Sequence, residues 1–533
     1  IFANTMTNAT VEKVMIANGS ISSTAGKAAG FAGTVTDSTV KNIFIQGRVN
    51  AVSTASGFAE TSHHSVMENI YANIDVNGAD GAGFLVNSTG ENSYKNICSI
   101  GNVAENMYKL AKTDITFTNA YELSAADGIS SAAEANGVKT IGKEVWTKAF
   151  YTETLKLDIS VWDVENAETN GYPLLKEFNV NLSPMTVEIQ KPQDIRKLNK
   201  LPEGRFTITA DLDFTEYGAA EITENIAENS IENNADINAA DSVENSAENH
   251  AEETAQAGTC LVTETFTGSI NGGGMKSAMF KQLSGKVENL EFRNILVDNE
   301  TAGANVLAET THNANVKNVH FNGITLRGAG YTGMIGKDTG STFSQISVQN
   351  ADVTTRADYA GVFAANAAGT QIFDVLITDT EVATSNAYVG GFIGNAERIT
   401  AQKVFADAEL DIPYTVSPQN TAAFIGQASE DSKIQYSTAA GGVYPEDPSS
   451  TRYKLTHMDN SSNLNELKAF TNCFINTDTP GYDSIANDPK GVTHEALCGT
   501  EFYTNEMRLS QDVWDLSDVA GTGTPSLKTM PEE

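Results

Sequence analysis

The sequence predicts a mainly β fold made of right-handed parallel β-helix (solenoid) arrays, each followed by a small mixed α/β cap. The first observation is a short motif ending in an apolar residue, whose copies start 27 to 29 residues apart within each array. Its copies occupy residues 11–14, 40–43, 67–70, 94–97, 287–290, 316–319, 343–346, 372–375 and 401–404. A fixed period of this size is typical of stacked supersecondary units.

The second observation is the residue pattern inside each repeat. Residues 14–16 and 43–45 are short β-branched and aromatic runs bounded by Asn, Gly, Ser and Thr, which favours strands. Ile74 and Val76 alternate with polar residues, so one strand face is predicted to be buried. Between motif copies lies a small residue before an apolar one, as in Gly57-Phe58. Stacking such units places each strand beside its own copy, in parallel.

The third observation is a duplicated module. Residues 150–176 align without a gap on residues 502–528, and eleven of the 27 positions are identical. We expect each copy to be a cap that covers the exposed edge of the last coil. Trp162 and Trp514 occupy equivalent positions, and we expect them to belong to the cap core rather than to form a ligand platform.

These patterns give four segments. We expect a β-helix array over 1–110, a cap over 111–178, a second array over 179–440 and a second cap over 441–533. Residues 219–257 hold ten Asp and Glu, no Lys or Arg and no aromatic residue, so they are interpreted as an acidic low-complexity insert in the second array. The chain opens inside a repeat, and both ends look like cuts, so we expect it to be a piece of a longer protein.

Charge and hydropathy exclude several classes of partner. The formal net charge is −34. Nucleic acids are recognised largely through Lys and Arg on phosphates, and anionic lipid surfaces attract basic segments, so neither partner is expected. No stretch approaches the roughly 20 apolar residues of a spanning helix, so no membrane insertion is expected.

The four cysteines, Cys98, Cys260, Cys473 and Cys498, form no CxxC pair and no zinc-ligand spacing with histidine. Cys473 and Cys498 both fall in the second cap, which leaves a disulfide between them open. His63-His64 is interpreted as a solvated turn, because no further metal ligand is spaced for it.

The repeat pattern disfavours two further kinds of site. Asp211, Asp213 and Asn271 carry calcium-ligand chemistry, but calcium-binding repeats usually place an acidic residue in every coil at one phase, and these arrays do not. Paired carboxylates for cleaving glycosidic bonds show no such phase either. We therefore assign no catalytic, cofactor-binding or metal-binding residue to the chain.

Asparagine recurs at one phase of the repeat. We expect these side chains to bond one another along the stack as a ladder, which is a scaffold role. The ladder residues are Asn42, Asn69, Asn96, Asn289 and Asn318.

Two sets of motifs carry a resemblance. The step Asp211-Leu212-Asp213, the glycine-rich run 266–274 and the following 287–290 resemble bacterial surface proteins with GLUG-type repeats. The F-Y-x(10)-W-D pattern from Phe150 to Asp163, with its trailing P-x-L-K, is similar to the N-terminal region of IgA1-specific zinc metalloendopeptidases of Gram-positive bacteria.

That resemblance implies a non-catalytic scaffold and substrate-docking region of a secreted protease at the cell surface or cell wall. It implies that zinc and the HExxH motif belong to the parent protein outside this chain, and that host proteins such as immunoglobulin A are partners. The nearest string here is 494–498, and we expect His494 to be an ordinary cap residue. Alternatives are a non-enzymatic adhesin or stalk with the same repeats, and a carbohydrate-active β-helix enzyme.

Overall fold

The structure is a computed structural model of the chain. It describes residues 2–112, 115–132, 136–178, 180, 182, 184–195, 197–198, 201, 204–213, 260–262, 269–271, 274–275, 278–356, 359–384, 388–412, 421–445, 455–456, 469–480 and 490–528. The acidic insert 219–257 and parts of the glycine-rich run 266–274 lie outside these ranges. The chain divides into unit 1, residues 1–187, and unit 2, residues 188–533.

Unit 1 is a solenoid whose coils contribute strands to parallel sheets of six, four and three described strands. Partners come from successive coils, so Ile43 lies beside Ile70, and Ile70 lies beside Ile97. The predicted parallel β-helix is therefore confirmed. The strands of unit 1 are Ala3–Thr7, Thr10–Ser23, Ala28–Ala29, Ala32–Thr36, Thr39–Ala51, Thr54–Ser56, Ala59–His63, Val66–Asn77, Asp80–Ala82, Leu85–Thr89, Ser93–Ser99, Thr118–Leu123, Val138–Ile141, Trp162–Asp163 and Leu174–Leu175.

The core of unit 1 runs down the solenoid axis. Phe31, Phe58 and Phe84 stack in it with ring centroids 4.6 and 4.9 Å apart, and all three are fully buried. The preceding glycines allow this approach, since a Cβ on Gly57 would lie 1.8 Å from the carbonyl oxygen of Gly83. Gly57 of this Gly-Phe element therefore lies where the next coil leaves no room for a side chain.

Unit 2 repeats the architecture, and its longest strands pair in register over up to twelve residue positions. Its strands begin with one that straddles the unit boundary and are Val187–Ile189, Arg205–Ile208, Leu212–Asp213, Cys260–Val262, Ser269–Asn271, Gly274–Met275, Phe280–Leu283, Lys286–Arg293, Leu296–Asn299, Asn305–His312, Asn315–Gly328, Gly333–Thr339, Thr342–Thr355, Ala360–Gly361, Ala364–Ala368, Gln371–Thr384, Val389–Gly390, Ile393–Glu397, Thr400–Ile412, Thr421–Ala422, Ile425–Ala428, Lys433–Gln435, Thr438–Ala439, Val443–Pro445, Phe470–Thr471, Phe474–Asn476, Lys490–Val492, Trp514–Asp515 and Ser526–Leu527.

The duplicated sequence folds into two matching side modules, which we define as residues 142–178 and residues 493–528. Each contains three short helical elements and an antiparallel strand pair. The middle element is a π-helical turn, closed by a bond from the Leu155 nitrogen to the Phe150 oxygen and by its counterpart from Met507 to Phe502. The helical elements of the modules are Lys143–Trp146, Phe150–Thr154, Asn166–Asn170, His494–Leu497, Phe502–Glu506 and Val519–Thr522. A further short helix spans Pro192–Ile195.

Parallel pairing continues beyond the array boundaries that the sequence suggested. Thr118–Leu123 and Val138–Ile141 extend the six-stranded sheet of unit 1 past residue 110. Phe470–Thr471 and Phe474–Asn476 likewise pair in parallel beyond residue 440. These coils depart from the regular period, as Asn119 follows Asn96 by only 23 residues. In the described part of the chain, no helix is long and apolar enough to cross a membrane.

Candidate functional site

The asparagine ladder is present in unit 1. Asn69 donates to Asn42 at 3.1 Å, Asn96 to Asn69 at 2.9 Å, and Asn119 to Asn96 at 3.0 Å. Each of the four has a positive φ between 55 and 65°. Asparagine tolerates this left-handed conformation better than most residues, and its amide can donate to one coil and accept from the next. The predicted asparagine ladder is therefore confirmed.

The same backbone position continues through unit 2. Asn318 donates to Asn289 at 2.6 Å, as the sequence predicted. Beyond them the next five residues at this position keep a positive φ between 50 and 59°, and only the last of the five is an asparagine. They are Gln345, Asp374, Lys403, Tyr436 and Asn472. The left-handed backbone conformation therefore recurs along the coils whichever residue occupies the position. The hydrogen bonds between amide side chains form only where asparagines follow one another.

Two residues after each ladder position, a side chain points outward, because the residues on either side of it point into the core. In unit 1 this outer column is apolar or aromatic and buried, and it consists of Phe44, Tyr71, Cys98 and Tyr121. The first side module covers it: the ring of Tyr172 lies 5.9 Å from that of Phe44, and the ring of Phe150 lies 5.1 Å from that of Tyr121.

Unit 2 has the equivalent outer column at Leu376, Phe405, Thr438 and Phe474, all buried. The second side module packs on it, with the ring of Tyr503 at 6.1 Å from Phe405 and that of Phe502 at 5.0 Å from Phe474. The side modules therefore cover the outer sides of several coils. The expectation that they cover only the edge of the last coil missed these contacts, because the outward aromatic residues looked like ordinary strand residues in the sequence.

A tryptophan fastens each side module to the ladder. Trp162 Nε1 donates to Asn42 Oδ1 at 3.2 Å, and Trp514 Nε1 donates to Asp374 Oδ1 at 2.8 Å. Both indoles are fully buried. They hold the module on the solenoid and present no stacking face to a ligand.

A polar network lies in the outer column of unit 2 beyond the side module. His320 Nδ1 lies 2.6 Å from Ser347 Oγ, and His320 Nε2 lies 3.0 Å from Asn318 Oδ1. Because an amide oxygen only accepts, Nε2 carries a proton, and in the neutral imidazole Nδ1 then accepts from the Ser347 hydroxyl. Glu291 stands beside His320 in register and pairs with Arg293 at 2.6 Å.

This network has the residue types of a nucleophilic serine site, but its groups are enclosed. Ser347 is 1% exposed, His320 2% and Glu291 3%. A nucleophile must reach a substrate atom at about 3 Å, and no substrate reaches a hydroxyl so enclosed. The arrangement satisfies buried polar groups in the manner expected of a structural network.

Two pairs of the residues considered as ligands lie side by side. The ring centroids of His63 and His64 lie 3.9 Å apart in a tilted arrangement, His63 is bonded to Thr89, and His64 lies 3.6 Å from Asp37. Asp213 and Asn271 are register partners on neighbouring strands, next to the pair of Leu212 and Ile270. Within the described ranges, no three His, Cys, Asp or Glu side chains are grouped so as to hold a metal ion.

Cys98, Cys473 and Cys498 are free thiols. Cys98 and Cys473 are fully buried, and burial raises the pKa of the Cys98 thiol far above its usual range. Cys473 lies 3.5 Å from the carbonyl oxygen of Ile434, and Cys498 lies 3.7 Å from His494 Nε2. The disulfide between Cys473 and Cys498 that the sequence left open is absent from the structure.

An outer face of unit 2 carries a row of polar side chains. One residue from each of six successive strands stands in line, and the first three are exposed while the others are partly exposed. We call this set the polar column. It consists of Gln282, Thr310, Lys337, Asn366, Asn395 and Gln427.

Carboxylates line another face of unit 2. Asp352, Glu381 and Glu409 are exposed and lie beside one another on successive coils. Nearby, burial and the charges of Asp379 and Glu409 raise the pKa of Asp407. Like charges at neighbouring positions of a sheet repel, so this face favours basic or neutral partners.

Comparisons of the chain with protein-family models, with curated proteins and with solved structures each found no match.

Proposed function

We propose that this chain is a non-catalytic scaffold and substrate-docking region of a secreted, cell-surface metalloendopeptidase resembling the IgA1-specific proteases of Gram-positive bacteria. In this proposal the zinc site belongs to the parent protein outside the chain. The motif resemblance of the side modules and the GLUG-type repeats suggests the class of parent protein. A non-enzymatic adhesin or stalk is the alternative that the test below separates.

The observation that carries the docking role is the polar column. Neighbouring strands of a sheet lie about 4.8 Å apart, so six aligned side chains span about 24 Å. That length suits the roughly 800 Å² that each partner contributes to a standard protein interface. Amide and hydroxyl groups both donate and accept, so they can bond an extended protein segment without demanding one charge.

The solenoid also holds this surface in one conformation in the absence of a partner. The strands behind the polar column pair in fixed register, and the core residues next to them, such as Ile335 and Ile393, are buried. Lys337 is held over the ring of Tyr331, with Nζ 4.0 Å from the ring centroid. A surface held in one arrangement loses little conformational entropy when it binds.

The test measures binding of the full chain to immunoglobulin A1 by biolayer interferometry, with a peptidase assay in parallel. We expect binding without cleavage, and we expect N366R/N395R to weaken it at least about tenfold, the scale of two central interface positions. The matched control is Asn315→Arg, an exposed asparagine on a different sheet, which should leave the affinity unchanged.

Three outcomes oppose the proposal. Absence of binding to immunoglobulin A1 together with binding to matrix proteins or glycans supports the adhesin. Cleavage by this chain itself overturns the non-catalytic assignment. If N366R/N395R and N315R lose affinity equally, the polar column is not the docking surface.

A further inference from the structure

The two side modules differ at one packing position. In the first, a Cβ on Gly171 would lie 2.7 Å from Trp146 Cδ1, so the indole packs directly on that glycine. In the second, a Cβ on the equivalent Gly523 would lie 3.0 Å from His494 Cε1 and 3.5 Å from Cys498 Sγ. An imidazole and a thiol together occupy the place of one buried indole.

The geometry of this pair is fixed by its surroundings. Cys498 Sγ lies 3.7 Å from His494 Nε2, one helical turn away. The His494 backbone nitrogen donates to Asp478 Oδ2 at 2.6 Å, and the Cys498 nitrogen donates to the His494 oxygen at 3.0 Å. Thr493 caps the turn by accepting from the Ala496 nitrogen at 3.3 Å. The thiol and the imidazole therefore face each other in the resting fold.

Cys498 is more accessible to solvent than the other cysteines whose surroundings the structure describes. Cys98 and Cys473 are fully buried, whereas Cys498 is partly exposed and His494 is exposed. Reactive cysteines combine access to solvent with a neighbouring base, while buried structural cysteines are inert. Only the second copy of the module offers this combination in the described ranges.

We propose that Cys498 is a thiol-exchange site, with His494 as its base, that accepts a disulfide as substrate and becomes modified as a mixed disulfide. His494 takes the proton of the Cys498 thiol, and the thiolate attacks one sulfur of the disulfide. A new S–S bond forms as the old one breaks, so Cys498 is oxidised and the departing half is reduced to a thiolate that takes up a proton. The disulfide is the only oxidant required.

Other ionisable groups face the pair and belong in any pH profile. The carboxylate of Asp407, on the strand Thr400–Ile412, interacts electrostatically with His494. The phenol of Tyr503, on the π-helical turn of the same module, interacts with Cys498.

The test measures exchange with dithiodipyridine at each cysteine, by mass spectrometry of proteolytic peptides after quenching. At pH 7 we expect Cys498 in the folded chain to react about tenfold faster than Cys498 in the urea-unfolded chain. We expect H494Q to remove that advantage and to move the rise of the rate to higher pH. The control E495Q, on the same turn, should behave like the native chain.

Protection of Cys98 and Cys473 in the same experiment reports whether each variant remains folded. If Cys473 reacts in H494Q, that variant is no longer folded. The test of the proposal then rests on the comparison of the folded with the unfolded native chain. A folded-state rate equal to or below the unfolded-state rate, or an H494Q profile identical to that of the native chain, overturns the proposal.

Discussion

Trp514 Nε1 donates a hydrogen bond to Oδ1 of Asp374, 140 residues earlier in the chain, at 2.8 Å. Trp162 makes the same bond to Asn42 across 120 residues in unit 1. The acceptor is a carboxylate in one unit and an amide in the other, yet both occupy the ladder position with positive φ. Both copies of the side module thus dock at the same backbone position of the solenoid, with an amide oxygen as acceptor in one and a carboxylate oxygen in the other.

Replacement of this indole is expected to destabilise unit 2. W514F removes the donor and leaves the Asp374 oxygen without it, which should cost about 1–3 kcal/mol in the free energy of unfolding. W514A adds a cavity and should cost about 3–5 kcal/mol. Urea unfolding measures both. The matched control is W146F in unit 1, since the buried Trp146 nitrogen has no partner in the described structure, and it should cost less than W514F.

The ladder position should distinguish glycine from a β-branched residue. Asn69 has a φ of 57°, donates to one neighbour and accepts from another. N69G and N69V both lose two hydrogen bonds worth about 1 kcal/mol each. N69V should cost about 1–3 kcal/mol more, because valine is strained at positive φ. Equal unfolding midpoints for the two variants would show that the left-handed conformation is not required.

The raised pKa of Asp407 gives a pH dependence. Its folded-state pKa lies above the unfolded value because burial disfavours the carboxylate, so the native state binds the proton more tightly. Its favourable contribution is present at low pH and disappears as pH rises through the folded-state pKa. D407N should therefore melt higher than the native chain at pH 8, with a gap that narrows as pH falls toward about 4.

Thermal melts across that range measure this effect. The exposed Asp352 offers a control, because D352N changes the same group without burial and should show a much smaller gap. A gap that widens on acidification would contradict the assignment of burial as the cause.

The acidic segment gives a prediction from sequence. Residues 219–257 carry no aromatic residue and no basic partner for their ten carboxylates, so they cannot supply a packed core. Deleting them should leave the melting temperature nearly unchanged, because lengthening a surface loop costs only about 0.6 kcal/mol per doubling. A drop of many degrees in differential scanning calorimetry would show that the segment packs on the fold.

The sequence predicted the solenoid and its ladder because those features recur. Asn42, Asn69 and Asn96 return at one phase, and a repeated residue at one phase of a stack lies beside its own copies. The coil containing Asn119 does not fit the period because its spacing is shorter, although Asn119-Ala120-Tyr121 has the same order of polar, apolar and aromatic residues as Asn69-Ile70-Tyr71.

Contacts between distant segments were harder to foresee. Phe44 faces the side module, yet Ile43, Phe44 and Ile45 form one apolar run that shows no alternation in the sequence. The outward column is recognised only when registers are known, since one residue of shift exchanges the two faces. The approach of Cys498 to His494 follows from an i, i+4 spacing. That these two residues pack near Gly523, where Trp146 packs on the equivalent Gly171, is seen only in the structure.

A double-mutant cycle between Trp514 and Asp374 tests the central structural claim most directly. Unfolding free energies of the native chain, W514F, D374A and the double variant give the coupling energy, and D352A replaces D374A in a control cycle. We expect a coupling of about 1–2 kcal/mol for the first pair, as for residues in direct contact, and additivity for the control. Additive effects in both cycles would contradict the docking of the side module on the ladder.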